Sequence, residues 1–310
     1  MSEIEASSSG AIGYPGDIDR TPGAIAQFVD IFKLRIGVFM ALTALAGYAV
    51  TPGIRLDPLQ LCLLALVVLA ASGAAGAFNQ FMERDLDARM VRTRTRPFVT
   101  GSVGHGRGWL WSIGMLLVTS MAMSAWLFNP AVALHLFLGA FFYGVVYTLW
   151  LKQRTPLNIV IGGASGSFAV LAGAAAADPI PGAAPVLLAV VLFLWTPPHF
   201  WALAIALRDD YAAAGVPMLP VVKGTATTAR VILINTILLT GVSLLPVFFG
   251  MGYIYLAGAA AGGALFIFSA WRLTLEHPPS PRGAMQVFFA SLLQLTLLMT
   301  GAMLDVLVAG

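Results

Sequence analysis

Nine long apolar segments constrain this chain more than any other feature. A helix that crosses the hydrocarbon core of a bilayer needs about 20 apolar residues. Only 10% of the residues are charged, whereas a soluble domain carries about 25%. The sequence therefore predicts an all-α, polytopic membrane protein with nine transmembrane helices, at residues 31–51, 58–81, 108–128, 130–151, 156–176, 184–207, 229–249, 252–273 and 285–308.

The positions of the basic residues test this number of spans, because cytoplasmic loops are enriched in Lys and Arg. With nine spans and the N-terminus inside, 16 of the 17 basic residues lie in or beside cytoplasmic segments, and only Arg55 lies on the other side. Adding or removing one span would destroy this asymmetry. We therefore expect a cytoplasmic N-terminus and a C-terminus on the opposite side of the membrane.

The first residues are polar and differ in pattern from the rest of the chain. Residues 1–27 contain Gly, Ser, Pro and acidic residues, without a basic region followed by an apolar core, so we expect no signal peptide. We predict a disordered cytoplasmic tail at 1–27 and one intramembrane domain at 28–310. The net charge of +3 is explained by topology, so we expect the lipid bilayer and no nucleic acid as a partner.

An acidic row follows the second apolar segment. Asn79, Glu83 and Asp87 are four residues apart, so they lie on one face of a helix. Mg²⁺ prefers oxygen ligands and usually combines one or two carboxylates with substrate phosphates. We interpret the row as a site for Mg²⁺ and a diphosphate; the alternative is a solvated helix end with assorted charges.

Arginines follow the row closely. Five of them occur within residues 84–96, among them Arg92 and Arg96. Guanidinium groups bind phosphate oxygens in bidentate geometry, so these side chains can clamp a diphosphate. The same charges also favour a cytoplasmic location of the loop, and we expect both roles.

These two motifs carry a family resemblance. Asn-x-x-x-Glu-x-x-x-Asp at 79–87, followed by Arg92-Thr-Arg-Thr-Arg96-Pro, resembles the first signature of the UbiA-type intramembrane prenyltransferases. The stretch Tyr147-Thr-Leu-Trp-Leu-Lys152, with Asn158 after it, is similar to a second motif of that superfamily. The resemblance covers roughly residues 28–308. It implies catalytic roles for Lys152 and the acidic row, and substrate binding by the residues Arg92, Arg96, Tyr147 and Asn158.

Two positions depart from the family pattern. Glu83 stands where the family often has Asp, which moves the carboxylate by one methylene but keeps an oxygen ligand. The segment 167–173 lacks the paired prolines that the family leads us to expect after a glycine cluster. The shape of that wall of the cavity is therefore not predicted.

A later block indicates the acceptor. Trp195-Thr-Pro-Pro-His199-Phe-Trp201, with Asp210-Tyr211 after it, is similar to the haem-prenylating members of the superfamily, whereas quinone-pathway members carry an Asp-rich second loop. The resemblance implies farnesyl transfer from farnesyl diphosphate to the vinyl group of protohaem IX, with Mg²⁺ accompanying the diphosphate. Haem is then a substrate and not a resident cofactor. The expected location is a bacterial inner membrane with cytoplasmic active-site loops, and a downstream haem-modifying enzyme or terminal oxidase is an expected partner.

His199 and the second loop are the remaining candidates. An ionisable residue within a span is functional by default, so His199 could ligate haem iron, bind a propionate or act as a base. Alternatively, a backbone carbonyl freed by Pro197-Pro198 satisfies it. If the span continues through Arg208, His199 and Asp210 share a helix face. We expect substrate binding by Trp195, Trp201, Asp210 and Tyr211, and a second metal position at Asp209 and Asp210.

Two other functions remain open. A UbiA-type enzyme could prenylate an aromatic quinone precursor or another tetrapyrrole. A transporter or haem channel would place charges at mid-membrane in broken helices, whereas the acidic motifs here lie at the predicted cytoplasmic interface. In the prenyltransferase interpretation, aromatic side chains shield an allylic cation from water, with the candidates Phe141, Phe142, Tyr143, Trp195, Phe200 and Trp201.

Overall fold

A computed structural model describes residues 23–309 of the chain, and within that range every regular element is helical. A π-helical segment (Phe142–Leu151) continues α7, and a 3₁₀ turn (Leu245–Phe249) continues α13. The helices are α1 (Ala24–Ile31), α2 (Leu34–Ala49), α3 (Pro58–Met82), α4 (Arg84–Asp87), α5 (Pro97–Thr100), α6 (Gly108–Leu127), α7 (Pro130–Phe141), α8 (Asn158–Gly162), α9 (Ala164–Ala177), α10 (Ala183–Ala206), α11 (Arg208–Ala213), α12 (Leu219–Lys223), α13 (Thr225–Leu244), α14 (Tyr253–Leu275) and α15 (Pro281–Ala309).

Within the described range, eight helices or continuous helix pairs are long and apolar enough to cross a membrane. They coincide with eight of the nine predicted segments, and no end differs by more than four residues. The first predicted segment, 31–51, corresponds to α2, which is apolar but has 16 residues. At a rise of 1.5 Å per residue it is about 24 Å long, shorter than a bilayer core of ~30 Å.

Of the predicted tail 1–27, residues 1–22 lie outside the described residues. Helix α1 already begins at Ala24, within the segment predicted to be disordered.

Local sequence explains where the helices begin. Asp57 and Gln60 form a reciprocal capping box at the start of α3. Asn129 accepts the first two free N–H groups of α7 and donates to the Ala175 carbonyl at 2.7 Å, so it fixes the tight turn between α6 and α7. Gly250 has a φ of +99° in the turn before α14, a conformation that L-residues avoid.

The helices form two packed groups. The first contains α2, α3, α6, α7 and α9, and the second contains α10, α13, α14 and α15; α9 packs on α10, and α2 packs on α15. Small residues permit the closest approaches, since a Cβ added at Gly173 would overlap the Ala44 carbonyl. Each group has its own apolar core.

Large aromatic side chains stay exposed at one end of the bundle. Trp126, Phe248 and Tyr253 are all at least 80% exposed, and all lie at the end away from α4, because successive long helices alternate in direction. Soluble proteins rarely expose such patches, whereas aromatic residues are typical of membrane interfaces. The surface therefore fits a lipid environment.

Candidate active site

The acidic row lies at the junction of α3 and α4. The Glu83 N–H donates to the Asn79 carbonyl at 3.0 Å, and the Asp87 N–H donates to the Glu83 carbonyl at 2.7 Å. Helical spacing therefore persists through Glu83, although it caps the C-terminus of α3. All three side chains are buried, each less than 5% exposed. The row is thus buried, not a solvated helix end.

Each member of the row pairs with a cation from a different part of the chain. The Lys152 Nζ lies 2.6 Å from Glu83 Oε2, and the Arg96 Nη1 lies 2.5 Å from Asp87 Oδ2. The Lys33 Nζ donates to Asn79 Oδ1 at 2.6 Å. Three cations thus surround two carboxylates. The surplus positive charge favours an anionic ligand beside the row.

A π-helical turn orients the Tyr147–Lys152 motif toward the row. In Phe142–Leu151 the backbone hydrogen bonds join residues five apart, as at the Lys152 N–H, which donates to the Tyr147 carbonyl. Residues five apart therefore share a face. Tyr143 accepts from Lys33 at 3.0 Å, while Thr148 accepts from the Asn79 amide at 2.9 Å. Such π segments occur frequently at functional sites.

Tyr147 and Asn158 support Lys152. The Lys152 Nζ lies 5.8 Å from the centre of the Tyr147 ring, within the range of cation–π attraction. Asn158 is fully buried and donates to the Lys152 carbonyl at 3.1 Å, whereas its Oδ1 has no hydrogen-bond partner among the described residues. Both residues therefore position the lysine that meets Glu83.

Burial perturbs one group outside the membrane-spanning segments. It raises the pKa of Tyr211, and the neighbouring Arg92 guanidinium opposes that rise.

The donor set of the row fits Mg²⁺ in the presence of a phosphate ligand. The Glu83 Oε1 atom is buried and has no hydrogen-bond partner among the described residues. Within the same residues, no three His, Cys, Asp or Glu side chains lie close enough together to hold a metal ion. A site with one or two carboxylates needs phosphate oxygens and water to complete the coordination of Mg²⁺.

The second loop contacts the first loop through Asp210. Its carboxylate accepts the backbone N–H groups of Val91 at 3.1 Å and Arg92 at 3.3 Å. Asp209 is different: its side chain is 98% exposed and its partner is Arg208 at 3.6 Å. The structure brings Asp210, and not Asp209, to the loop that carries the arginines.

The predicted alignment of His199 with Asp210 on one helix is wrong. Helix α10 ends at Ala206, and Leu207, with φ −112° and ψ 28°, separates it from α11. The N–H of Tyr211 still bonds back to Leu207, but the two helices are distinct. His199 therefore is a buried residue of α10, whereas Asp210 is a half-buried residue of the short helix α11.

His199 lies in an aromatic sandwich. Its ring is 4.2 Å from the Trp195 ring on one side and 4.4 Å from the Phe288 ring on the other, both nearly parallel. Its Nδ1 is 2.7 Å from the Ser291 hydroxyl, and the Trp195 indole donates to the Ser291 carbonyl at 2.8 Å. A side chain, not a carbonyl freed by Pro197-Pro198, therefore satisfies His199.

An apolar cluster connects the two sites. Phe200 meets the edge of His199 at 5.1 Å. It packs on a cluster that includes Leu86 of the row's helix, with Tyr147 and Tyr211. Beside this cluster, a cavity of about 800 Å³ is lined by Arg92, Asp210 and the prolines 278, 279 and 281, among others. None of the three row residues lines that cavity.

Comparison with known proteins identifies the family. The profile of the UbiA prenyltransferase family matches residues 40–293. This chain belongs to the UbiA prenyltransferase family. It is 55% identical to "Protoheme IX farnesyltransferase 2" of Paramagnetospirillum magneticum over 90% of this chain and 96% of that protein. It is 47% identical to "Protoheme IX farnesyltransferase 1" of the same organism, over 90% and 98%.

Solved structures show the same fold. A digeranylgeranylglyceryl phosphate synthase superposes with a TM-score of 0.75 at 18% identity, over 91% of this chain and 98% of that one. A UbiA homologue from Archaeoglobus fulgidus bound to DMAPP and Mg²⁺ superposes with a TM-score of 0.69 at 13% identity, over 88% and 99%. At these identities the likeness concerns the UbiA fold alone.

Three of the candidate aromatic residues of this UbiA-family chain have other surroundings. Phe141 is 38% exposed, and Phe142 packs on Phe168. Trp201 is buried in the core of the second helix group, and its indole N–H has no hydrogen-bond partner among the described residues. The remaining histidines contact neither the row nor His199: His105 stacks on Phe81, His135 lies near Phe168, and His277 is exposed.

The partners that come from distant elements are not evident from the sequence. There, Lys33 is one of the basic residues that set the topology, and Thr148 is one residue of a motif. Nothing in the pattern distinguishes Phe288 on α15. The only sequence signal for these partners is that Ser291, also on α15, is a polar residue within an apolar segment, and such residues are common helix contacts in membranes.

Proposed function

We propose that this chain transfers the farnesyl group of farnesyl diphosphate to a vinyl group of protohaem IX and releases diphosphate, giving haem O. The observation that carries the proposal is 55% identity, over nearly the whole of both chains, to a protein named protohaem IX farnesyltransferase. The geometry supports it, because one site is built for a charged phosphate group and the other for a flat aromatic ligand.

The row and its cations form the diphosphate side. As the bond between the allylic carbon and diphosphate breaks, negative charge grows on the leaving group. Arg96 and Lys152 lie where they can stabilise that charge. Lys33 adds a third cation beside Asn79. Arg92 lines the neighbouring cavity and extends the basic surface toward the second loop.

We further propose that Glu83 and Asp87, with Asn79 beside them, hold Mg²⁺ together with the diphosphate. Bound Mg²⁺ neutralises phosphate charge as the diphosphate departs. The free Glu83 Oε1 supports this assignment, as does the Archaeoglobus homologue bound to DMAPP and Mg²⁺. For the second acidic position, Asp210 is favoured over the exposed Asp209 because it touches the arginine loop.

The aromatic site is the acceptor side. Trp195, His199 and Phe288 present stacked rings within the helix bundle, and Tyr211 and Phe200 extend that surface toward the row. The new bond joins farnesyl C1 to the outer vinyl carbon. Water then adds to the inner vinyl carbon and loses a proton, which gives the hydroxyethylfarnesyl group. Haem is consumed as substrate in this scheme.

We also propose the nine-span topology in a bacterial inner membrane. In addition to the eight long helices, α2 would also cross the membrane, as the first span in chain order. Residues 31–33 and 50–51 would extend it at its two ends. The basic asymmetry of 16 to 1 supports cytoplasmic active-site loops, with the N-terminal tail inside and the C-terminus outside. The domain would run from 28 to 310, and haem O would pass to a haem-modifying enzyme or terminal oxidase.

The direct test is turnover by the purified protein. With haem B, farnesyl diphosphate and Mg²⁺ in detergent or lipid, we expect haem O and diphosphate, identified by mass spectrometry. A parallel reaction with an aromatic quinone precursor tests the alternative acceptor within the family. Product from the quinone precursor alone would contradict the haem assignment and preserve the prenyltransferase assignment.

A further inference from the structure

Ser291 of α15 contacts two planar residues of the acceptor side, Trp195 and His199. Its carbonyl accepts the Trp195 indole N–H at 2.8 Å, and its hydroxyl lies 2.7 Å from His199 Nδ1. Ser291 is fully buried. A single residue therefore fixes two stacked rings of a neighbouring helix.

The distances around the Ser291 hydroxyl assign its hydrogen. The hydroxyl oxygen is 2.6 Å from the Phe288 carbonyl oxygen. Two oxygens at that distance need a hydrogen between them, and a carbonyl has none to give. The single hydroxyl hydrogen of Ser291 therefore points at Phe288. This is the local bond that a helical serine makes to the preceding turn.

The hydrogen of His199 then follows. The 2.7 Å contact between its Nδ1 and the Ser291 oxygen also needs a hydrogen, and Ser291 has no second one. The hydrogen must come from Nδ1. A neutral imidazole carries one N–H, so Nε2 holds a lone pair. No hydrogen-bond partner of Nε2 is found among the described residues.

We propose that Ser291 is a positioning residue that holds His199 in its Nδ1–H tautomer, so that Nε2 meets the acceptor substrate as an electron-pair donor. The proposal rests on the proposed function in one respect, namely that His199 faces haem. Of the three roles open to His199, it retains iron ligation and proton acceptance. The Nδ1–H tautomer excludes a hydrogen bond from Nε2 to a propionate, because Nε2 has no hydrogen to donate.

The two aromatic rings beside His199 also fix the orientation of its imidazole. Rotation of the imidazole about its Cβ–Cγ bond would replace Nδ1 by the carbon Cδ2 at the Ser291 hydroxyl. Trp195 at 4.2 Å and Phe288 at 4.4 Å oppose that rotation, because both rings lie nearly parallel to it. The hydroxyl selects the tautomer, and the two rings select the plane.

The first experiment observes the tautomer without haem. The full chain is labelled with ¹⁵N-histidine and reconstituted in lipid, and the His199 signals are assigned among the four histidines with His199→Gln. We expect a protonated Nδ1 and an unprotonated Nε2 in the wild type. The opposite tautomer would overturn the proposal, whatever the enzyme does with haem.

The second experiment removes the hydroxyl. Ser291→Ala should release the tautomer preference in the NMR spectrum and lower turnover with haem B about 10- to 100-fold. Mg²⁺-dependent binding of inorganic diphosphate should stay within about twofold, which shows that the variant is folded. Ser291→Thr, which keeps a hydroxyl, should restore the tautomer. An unchanged tautomer in Ser291→Ala would overturn the role of Ser291.

Ser124→Ala is the matched control. Ser124 is also fully buried and makes the same bond to the preceding turn, at 2.9 Å to Met121, but it has no histidine partner. Ser124→Ala should change neither the tautomer of His199 nor the turnover with haem B. If wild-type His199 has the expected tautomer and no haem product forms, the proposed function fails and the Ser291 assignment stands.

Discussion

The acidic row and the His199 sandwich are both buried polar sites, yet they are held in different ways. At the row, each polar side chain pairs with a cation, as Glu83 does with Lys152 at 2.6 Å, and two of the three cations come from distant elements. At His199, two aromatic faces and one hydroxyl hold the ring. The row is an electrostatic site, and the sandwich is a stacking site.

The difference indicates which half of the reaction each site serves. Buried ion pairs are sensitive to the loss of one partner, because the remaining charge lies uncompensated. Stacked rings are individually weaker and more tolerant of change. Substitutions at the row should therefore lower diphosphate binding and turnover strongly. Substitutions at the sandwich should weaken binding of the acceptor by smaller factors.

The largest effect is expected for Asp87→Asn. Loss of this carboxylate removes the proposed metal ligand and the partner of Arg96, so several kcal/mol of transition-state stabilisation should disappear. A loss of about 4 kcal/mol corresponds to about a 1,000-fold lower kcat/KM. Haem O formation and Mg²⁺-dependent diphosphate binding, by calorimetry, are the measurements.

Asp85→Asn is the control for that variant. Asp85 lies on the same short helix but is exposed and makes no ion pair within 4 Å among the described residues. Its removal makes the same change in charge and should leave both readouts within about twofold. Equal losses in the two variants would mean that general charge, not the buried carboxylate, drives binding.

Lys152→Met should lower stability by about 3 kcal/mol, because it leaves Glu83 as an unpaired buried charge. Glu83→Gln added to this variant should recover part of that loss without restoring turnover. Unfolding in detergent, followed by circular dichroism, measures the first effect. Arg154→Met, an exposed neighbour, should have little effect; equal destabilisation by both lysine and arginine variants would argue against a buried pair.

Trp195→Leu tests the stacking site. It removes a ring 4.2 Å from His199, and such aromatic pairs contribute about 0.5–1.5 kcal/mol. We expect haem B to bind about 3- to 10-fold more weakly, measured by absorbance titration, with farnesyl diphosphate binding unchanged. Trp111→Leu, at a ring that is 75% exposed, is the control. Weaker diphosphate binding in Trp195→Leu would show that the two sites are not separable.

The smallest effect is expected for Asp209→Asn, because its carboxylate is exposed and its ion pair is with the exposed Arg208. Surface pairs contribute about 0–1 kcal/mol, so turnover should change less than about twofold. Asp210→Asn, which removes the charged acceptor of two N–H groups, should lower turnover about tenfold. A larger loss of turnover in Asp209→Asn than in Asp210→Asn would indicate that Asp209 is the metal ligand.

The sequence predicted the helices well and the contacts between them only in part. Eight apolar segments became helices at the expected positions, because length and apolar content alone decide whether a segment can span a bilayer. Spacing also placed Asn79, Glu83 and Asp87 on one helical run. The same reasoning failed at Leu207, where a local change of φ and ψ separates His199 from Asp210, because no Pro or Gly marks the break.

By itself, the sequence determined a polytopic helical chain, an acidic row beside arginines and a histidine within a span, because each follows from composition or from spacing along one helix. Only the tertiary structure decided which cation meets which acid and which residue holds His199. Lys33 and Asn79 are 46 positions apart, and Ser291 and His199 are 92 positions apart. Such pairs depend on how whole helices pack. At Lys152, the contact with Glu83 also depends on a π-helical turn in the backbone before it. Periodicity within one segment predicts neither the packing nor the π-helical turn.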